Sequence, residues 1–320
     1  MLSRVADSLY WLSLNMERAE NITKLLSVRL VSILENNNPK IEREDNWGDL
    51  VMISGDITHF YQVYSECNRS NVIQYLAFQK ENANSINSCI SIVRENAKAI
   101  REIIPIELWE VINDLYLKIR TFPIKGVTIE QLNDFFQMIL EKSFQYQGII
   151  TGLMPRGESY SFIMFGKHLE RLRKLTRTLD VYYHKKISAR DNKDSVNYHY
   201  WSAVLNSLGG YESYLQKYHA FIEPLQVVNY LVFDETLPRS ATFNVKRLLY
   251  AFGKLEKDGV NSYTEGLHNK LTELLDEVSY ESLDQISISI HNYFQRLQQL
   301  CDDVGIAIMD TYYLGEIKSL

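Results

Sequence analysis

Two stretches about half a chain apart set an acid beside a base inside a helical pattern. Asn15–Leu26 reads NMERAENITKLL and His168–Leu179 reads HLERLRKLTRTL. Each carries Glu-Arg, then a Thr, then a Leu at matching spacings: Glu17, Arg18, Thr23 and Leu26 in the first, Glu170, Arg171, Thr176 and Leu179 in the second. A guanidinium clamps a carboxylate through paired N–H donors. A carboxyl group with a raised pKa serves as a general acid or base. Neighbours on a helix point roughly 100° apart, so Glu17 and Arg18 do not pair with each other. Two readings follow. In one, Glu17 meets Arg171 and Glu170 meets Arg18 where two long helices cross, a reciprocal clamp for half-buried charges. In the other, the same groups together with Arg4 line a central site for a carboxylate-bearing peptide or amino-acid conjugate.

Other residues join this polar set. Glu20 to Lys24 and Glu170 to Lys174 are spaced as one-turn ion pairs, which places Lys24 and Lys174 on the surface. Ser85 and Ser240 stand where helix N-caps belong. Arg239, beside Ser240, could hold an anion at that helix start. Arg156 lies at the mid-chain boundary. His291, within ISISIHNYF, reads as a hydrogen-bonded rim residue rather than a catalyst. Arg94-Glu95-Asn96 reads as a solvated face. The chain has no P-loop, no G-x-G-x-x-G and no G-x-S-x-G elbow. Glu265 and His268 make one Glu-x-x-His, where a di-iron bundle needs two and two further Glu. No metal or cofactor is expected, and these residues name no catalytic group.

The elements that carry these residues are helices. Leu2, Val5, Leu9, Leu12, Met16, Ala19, Thr23, Leu26, Leu30 and Ile33 alternate spacings of three and four, the seam of one long helix that stops at Asn36-Asn37-Asn38-Pro39. Displaced by 153 positions, the seam recurs as Phe162, Phe165, Leu169, Leu172, Thr176, Leu179 and Tyr183 on a helix spanning 156–186. Trp47 through Tyr64 recurs from Trp201 through Tyr218, Tyr75-Leu76 as Tyr230-Leu231, and the helix after Ser85 as the one after Ser240. Thr128 with Gln131, Ser262 with Glu265, and Ser282 with Gln285 form capping boxes that open three more helices. Pro105 suits the start of a helix that Phe122-Pro123 ends. The expected fold is all-α: a large helical bundle of two tandem pseudo-symmetric repeats, 1–153 and 154–320, forming a single domain over 1–320.

Composition narrows the partners. The 320-residue chain carries a net charge of −6, so it lacks the basic footprint of a nucleic-acid binder. No apolar run is long enough to span a bilayer, and the charged opening MLSRVADSLYWLSLNMER is not a signal peptide. Cys67, Cys89 and Cys301 are widely spaced and read as reduced, buried thiols. A cytoplasmic location is expected. Abundant tyrosines would serve as contact anchors if the protein is an oligomeric scaffold.

MLSRVADSLYW…ERAEN…KLL resembles the opening of the bacterial alpha-E family, an all-helical family. The likeness continues through Trp47, NSxxSC and REN at 84–96, and LER at 169–171. It also takes in PRS at 238–240, a late His, G-x-A-I at Gly305–Ile308, and Tyr312-Tyr313-Leu314. In three places the chain departs from the family pattern: no Trp follows Gly157, Ser289-Ile290-His291-Asn292 replaces G-L-H-E, and Leu172-Arg173 follows LER. The resemblance implies a setting more than a reaction. Such proteins are typically encoded beside circularly permuted ATP-grasp ligases and transglutaminase-like proteases, machinery for making and cutting amide bonds. It implies a helical partner or substrate-presenting component of an ATP-grasp system. The alternatives are an enzyme using the Glu/Arg set, and the scaffold.

Overall fold

The structure is a computed structural model, and it describes residues 1–35, 47–124, 126–188, 194–219, 221–256, 259–286 and 288–315. Among these residues there are fourteen α-helices and no β-strand. None of the described helices is long and apolar enough to cross a membrane. Two compact units are present: Trp11–Pro155 is one, and Met1–Tyr10 with Arg156–Ile317 is the other.

Helix α1 runs from Ser3 to Glu35. Its seam residues Leu9, Leu12, Met16, Ala19, Leu26 and Leu30 are all buried, and Thr23, the one polar member, is buried too. Thr23 resolves the conflict by donating its hydroxyl to the Ala19 carbonyl at 2.7 Å. Each fully buried Leu of this kind contributes about 1.5–3 kcal/mol relative to exposure.

In the unit Trp11–Pro155, α2 (Gly48–Ser54) ends at Gly55, whose φ of 99° lets its N–H close on the Val51 and Met52 carbonyls. Helix α3 (Ile57–Val63) is capped by Asp56. Helix α4 (Arg69–Ile73) widens into a π-turn over Gln74–Phe78, whose apolar members are buried. Helix α5 (Ile86–Ala99) starts at Ser85, which accepts from the Ser88 amide at 3.1 Å. Helices α6 (Ile106–Thr121) and α7 (Ile129–Leu153) pack in sequence after it. The Thr128 box is complete: Gln131 N donates to Thr128 Oγ1 at 3.3 Å, and Thr128 N to Gln131 Oε1 at 2.9 Å.

In the other unit, α8 (Glu158–Ser188) packs against α12 (Ala241–Leu255) and α14 (Ile290–Tyr312). Between them come α9 (Asp194–Leu208), α10 (Tyr211–Tyr218), α11 (Pro224–Phe233) and α13 (Glu265–Glu277). Ser240 caps α12 by accepting from Phe243 N at 3.1 Å.

Two expected helix starts are corrected. Helix α13 begins at Glu265, not after Ser262, because Asn261 Oδ1 captures the Tyr263 and Thr264 amides in a turn. After Ser282 there is a single 3₁₀ turn, Leu283–Gln285, since Asn229 Oδ1 takes the Leu283 amide and Gln285 reaches back to Glu281 N. The last helix starts seven residues later, capped by Ser289.

Candidate functional site

The unit Trp11–Pro155 holds a polar seam between α1 and α7. Ser13, Glu17, Glu20, Lys24 and Ser27 fall on one stripe of α1 by helical spacing. Ser27 meets Asn133 at 3.5 Å and receives Gln137 Nε2 at 2.9 Å. Lys24 Nζ donates to Glu20 Oε1 at 2.7 Å. Ser143 Oγ and Gln147 Nε2 both donate to Glu20 Oε2, the latter at 2.6 Å. The Glu20 side chain is 0 % exposed and that of Lys24 10 %, which overturns the surface placement of Lys24. Lys174 is buried as well. The one-turn spacing does pair Glu20 with Lys24, but it does not say which way the pair faces.

Glu17 is buried one turn before this pair, close to the Tyr146 phenol. Burial first, and the Glu17 charge after it, raise the Tyr146 pKa against the opposing effect of Ser13, so the phenol stays protonated. Arg18 Nη1 donates to Asn84 Oδ1 at 2.8 Å, just ahead of the Ser85 cap.

In the other unit, the same dipeptide lies on α8. Glu170 and Arg171 are buried. Arg171 Nη1 donates to the Pro238 carbonyl at 3.3 Å, two residues ahead of the Ser240 cap. His168 Nδ1 bonds Asn244 Oδ1 at 2.7 Å, and Asn244 Nδ2 donates to the Ser240 carbonyl at 2.6 Å. Burial holds His168 well below the usual imidazole value, and Lys167, Arg171 and Arg247 push the same way.

Ser240 donates to the carbonyl oxygen of Asp234. The Asp234 carboxylate takes Lys217 Nζ at 2.6 Å, Thr236 N and Oγ1 at 2.8 and 2.7 Å, and Leu237 N at 2.9 Å. Burial alone would raise the Asp234 pKa, but these donors outweigh it and hold the group at about 2. Arg239 is half-buried beside this cap.

Farther along α8, Arg173 Nη2 donates to the Cys301 carbonyl at 3.2 Å and pairs with Asp302 at 3.0 Å. Asp180, largely buried, gathers donors from three turns of α14: His291 Nδ1 at 2.6 Å, Gln295 Nε2, and Gln298 Nε2 at 3.3 Å. An ionised carboxylate only accepts, so His291 donates through Nδ1. His291 is therefore hydrogen-bonded, with a side chain 45 % exposed, as expected of a rim residue.

Arg4 is exposed in the first turn of α1. Arg156 is exposed with its guanidinium 4.2 Å above the Tyr160 ring. Cys89 and Cys301 are buried, whereas Cys67 is half-buried. Among the described residues, no group of three His, Cys, Asp or Glu could hold a metal ion.

Asn84 stands in the sequence only as the first residue of NSxxSC, and Ser143, Gln147, Asp180, Asn244, Gln295 and Gln298 belong to no motif there. One signal was available: His291, Gln295 and Gln298 follow i, i+4, i+7 spacing, a polar stripe on the last helix.

Over residues 1–313 the chain matches the model of the alpha-E family, described as a predicted alpha-helical domain with a conserved ER motif. No curated protein and no solved structure matches it. Glu-Arg occurs at 17–18 and 170–171, and a third copy at 42–43 lies outside the described residues. With the match extending over nearly the whole chain, this helical protein belongs to the alpha-E family.

Proposed function

We propose that the protein is a non-catalytic helical partner, or substrate-presenting component, of a cytoplasmic amide-ligation system built around an ATP-grasp ligase and a transglutaminase-like protein. The observation that carries the non-catalytic reading is the commitment of the Glu-Arg residues to the fold. Glu17, Arg18, Glu20, Glu170 and Arg171 all have interaction partners. The Glu20 carboxylate accepts from Lys24, Ser143 and Gln147, which leaves it little capacity to move a proton. Arg18 and Arg171 donate to the loops that launch α5 and α12. Such partners support a structural role for these groups.

We infer also that the chain is a duplicated helical unit. What supports this is recurrence of contacts, not only of residue types. Phe60, Tyr64 and Tyr75 form a three-ring cluster, with centroids 5.4, 5.1 and 6.4 Å apart. Tyr214, Tyr218 and Tyr230, displaced by 154 to 155 positions, form another at 5.0, 5.5 and 5.7 Å. Ser27 with Asn133 and Gln137 corresponds to Asp180 with His291 and Gln295. The second set has exchanged a neutral clip for one built on a carboxylate.

Affinity purification of the tagged full-length protein from its native cells tests the partner role. Recovery of an ATP-grasp ligase or a transglutaminase-like protein in stoichiometric amount is expected. Repeated recovery of neither overturns the proposal.

A further inference from the structure

From Arg239 to Leu255 the chain carries four basic residues and no acidic one, against a net charge of −6 overall. This stretch is α12 with the turn that launches it. Ala241, Asn244, Val245, Leu248 and Phe252 form the buried face of the helix. Phe243, Lys246, Arg247, Tyr250 and Lys254 fall on the opposite face by helical spacing. Four of these five are exposed and Phe243 is half-buried. Tyr250 is 52 % exposed, a large ring left in water.

Residue types along this face repeat. The Arg247 guanidinium lies 4.8 Å from the centre of the Phe243 ring, and the Lys254 ammonium 5.2 Å from that of Tyr250. The second ring–cation pair is the first displaced by seven residues, two turns on, so both point the same way. Arg247 and Lys254 thus stand about 10 Å apart along the axis with the Tyr250 ring between them. Lys246 is matched by Glu235 at 2.6 Å, whereas Arg247 and Lys254 form no ion pair among the described residues. The field of Arg247 reaches inward as well: after burial, and together with Lys167 and Arg171, it opposes protonation of His168.

This face is not what makes the helix. Helix α5, whose sequence matches α12 at a displacement of 155 positions, buries Ile86, Ile90, Val93 and Ala97 where α12 buries Ala241, Val245, Leu248 and Phe252. On its outer face it carries Ser88, Ser91, Ile92, Glu95 and Ala99 in place of the rings and cations. Two uncompensated cations with an exposed ring between them select carboxylates flanking an apolar side chain. A long polyanion such as nucleic acid fits less well. With this face basic, the rest of the chain is more acidic still and repels it beyond one helix length.

We propose that the outer face of α12 docks an acidic amphipathic helix of a partner protein, in which carboxylates seven residues apart meet Arg247 and Lys254 and an apolar residue midway between them lies on Tyr250. The inference does not depend on the ligation-system reading; a partner of another kind could present such a helix.

The test uses the full-length protein and three end-blocked, alanine-rich helical peptides, titrated by calorimetry. The first carries two glutamates seven residues apart with a leucine midway, the second replaces the glutamates by lysines, and the third replaces the leucine by alanine. The first should bind at least about tenfold more tightly than the second and several-fold more tightly than the third. Arg247→Glu with Lys254→Glu changes only exposed positions, so circular dichroism should show the helices intact while the preference between glutamate and lysine reverses. Tyr250→Ala should erase the advantage of leucine over alanine. No binding by the first peptide, equal binding of the first two, or unchanged preference in the double variant overturns the proposal. Tighter binding of a single-stranded oligonucleotide than of the first peptide overturns it in favour of nucleic acid. Self-association lost in the double variant overturns it in favour of a second copy of this chain. A failure here leaves the purification test of the partner role unaffected.

Discussion

Gly305 leaves the space that Arg173 occupies: a Cβ at position 305 would lie 2.4 Å from Nη2 and 3.3 Å from Cζ of that guanidinium. The contact joins α14 to α8, and through it Arg173 reaches the Cys301 carbonyl and Asp302. The glycine is present for close approach rather than for backbone freedom, since it sits inside a regular helix. Gly305→Ala should therefore push the Arg173 guanidinium off the Cys301 carbonyl and lower stability by roughly 0.5–2 kcal/mol, the loss of a charge-assisted hydrogen bond less alanine's helix gain. In an Arg173→Ala background the same change should raise stability by up to about 1 kcal/mol, because alanine is the better helix former. Urea unfolding of the four-member cycle reads this directly. An effect of the same sign in both backgrounds would rule out the contact as its cause.

The Glu20–Lys24 pair predicts an asymmetry. Lys24→Met strands a wholly buried carboxylate and should cost roughly 3–5 kcal/mol. Replacing both partners, as Glu20→Gln with Lys24→Met, removes the stranded charge while the amide still meets Ser143 and Gln147. The double variant should recover most of the loss. Equal destabilisation by the single and double changes would contradict this role for the charge.

His168 predicts a pH response. Its folded pKa lies well below the ordinary imidazole value, so the unfolded chain takes up a proton first as pH falls. Stability is thus retained above about 6.5 and declines as pH drops through and below that value. Unfolding midpoints measured from pH 8 to 5 should fall more steeply for the natural protein than for His168→Asn, which cannot titrate. Parallel profiles would show that His168 is not the group responsible.

Asp234 acts at more acid pH; its pKa is also displaced downward, which for an acid favours the charged form. Its folded pKa of about 2 lies below the ordinary aspartate value, so its contribution is present above roughly 3.9 and disappears as pH falls towards 2. At neutral pH that contribution is on the order of 2 kcal/mol. Asp234→Asn should lose about this much at pH 7 and converge on the natural protein near pH 2. A constant gap across the titration would mean that hydrogen bonding, not charge, supplies the stability.

Much of the architecture was legible because it is local. The three-four spacing from Leu2 to Ile33 specifies α1, and Ser85, Thr128 and Ser240 cap helices where their positions indicate. Ser262 and Ser282 misled because the deciding groups were other side chains, Asn261 and Asn229, competing for the same backbone amides. Direction of burial was less readable. A Glu and a Lys one turn apart look alike on a wet face and against α7, and only the facing Ser143 and Gln147 distinguish the two. Asp180 and His291 are 111 positions apart, and no local spacing encodes their meeting.

On the reading proposed above, the Glu-Arg dipeptides hold the fold together rather than transform a substrate. Thermal and urea unfolding of Arg18→Leu and Arg171→Leu test it most directly, each deleting one donor to a helix-launching loop. Both variants should unfold at clearly lower temperature and denaturant concentration. Two variants with unchanged stability that have lost partner binding or a measurable activity would make the dipeptides a working site and overturn their structural role.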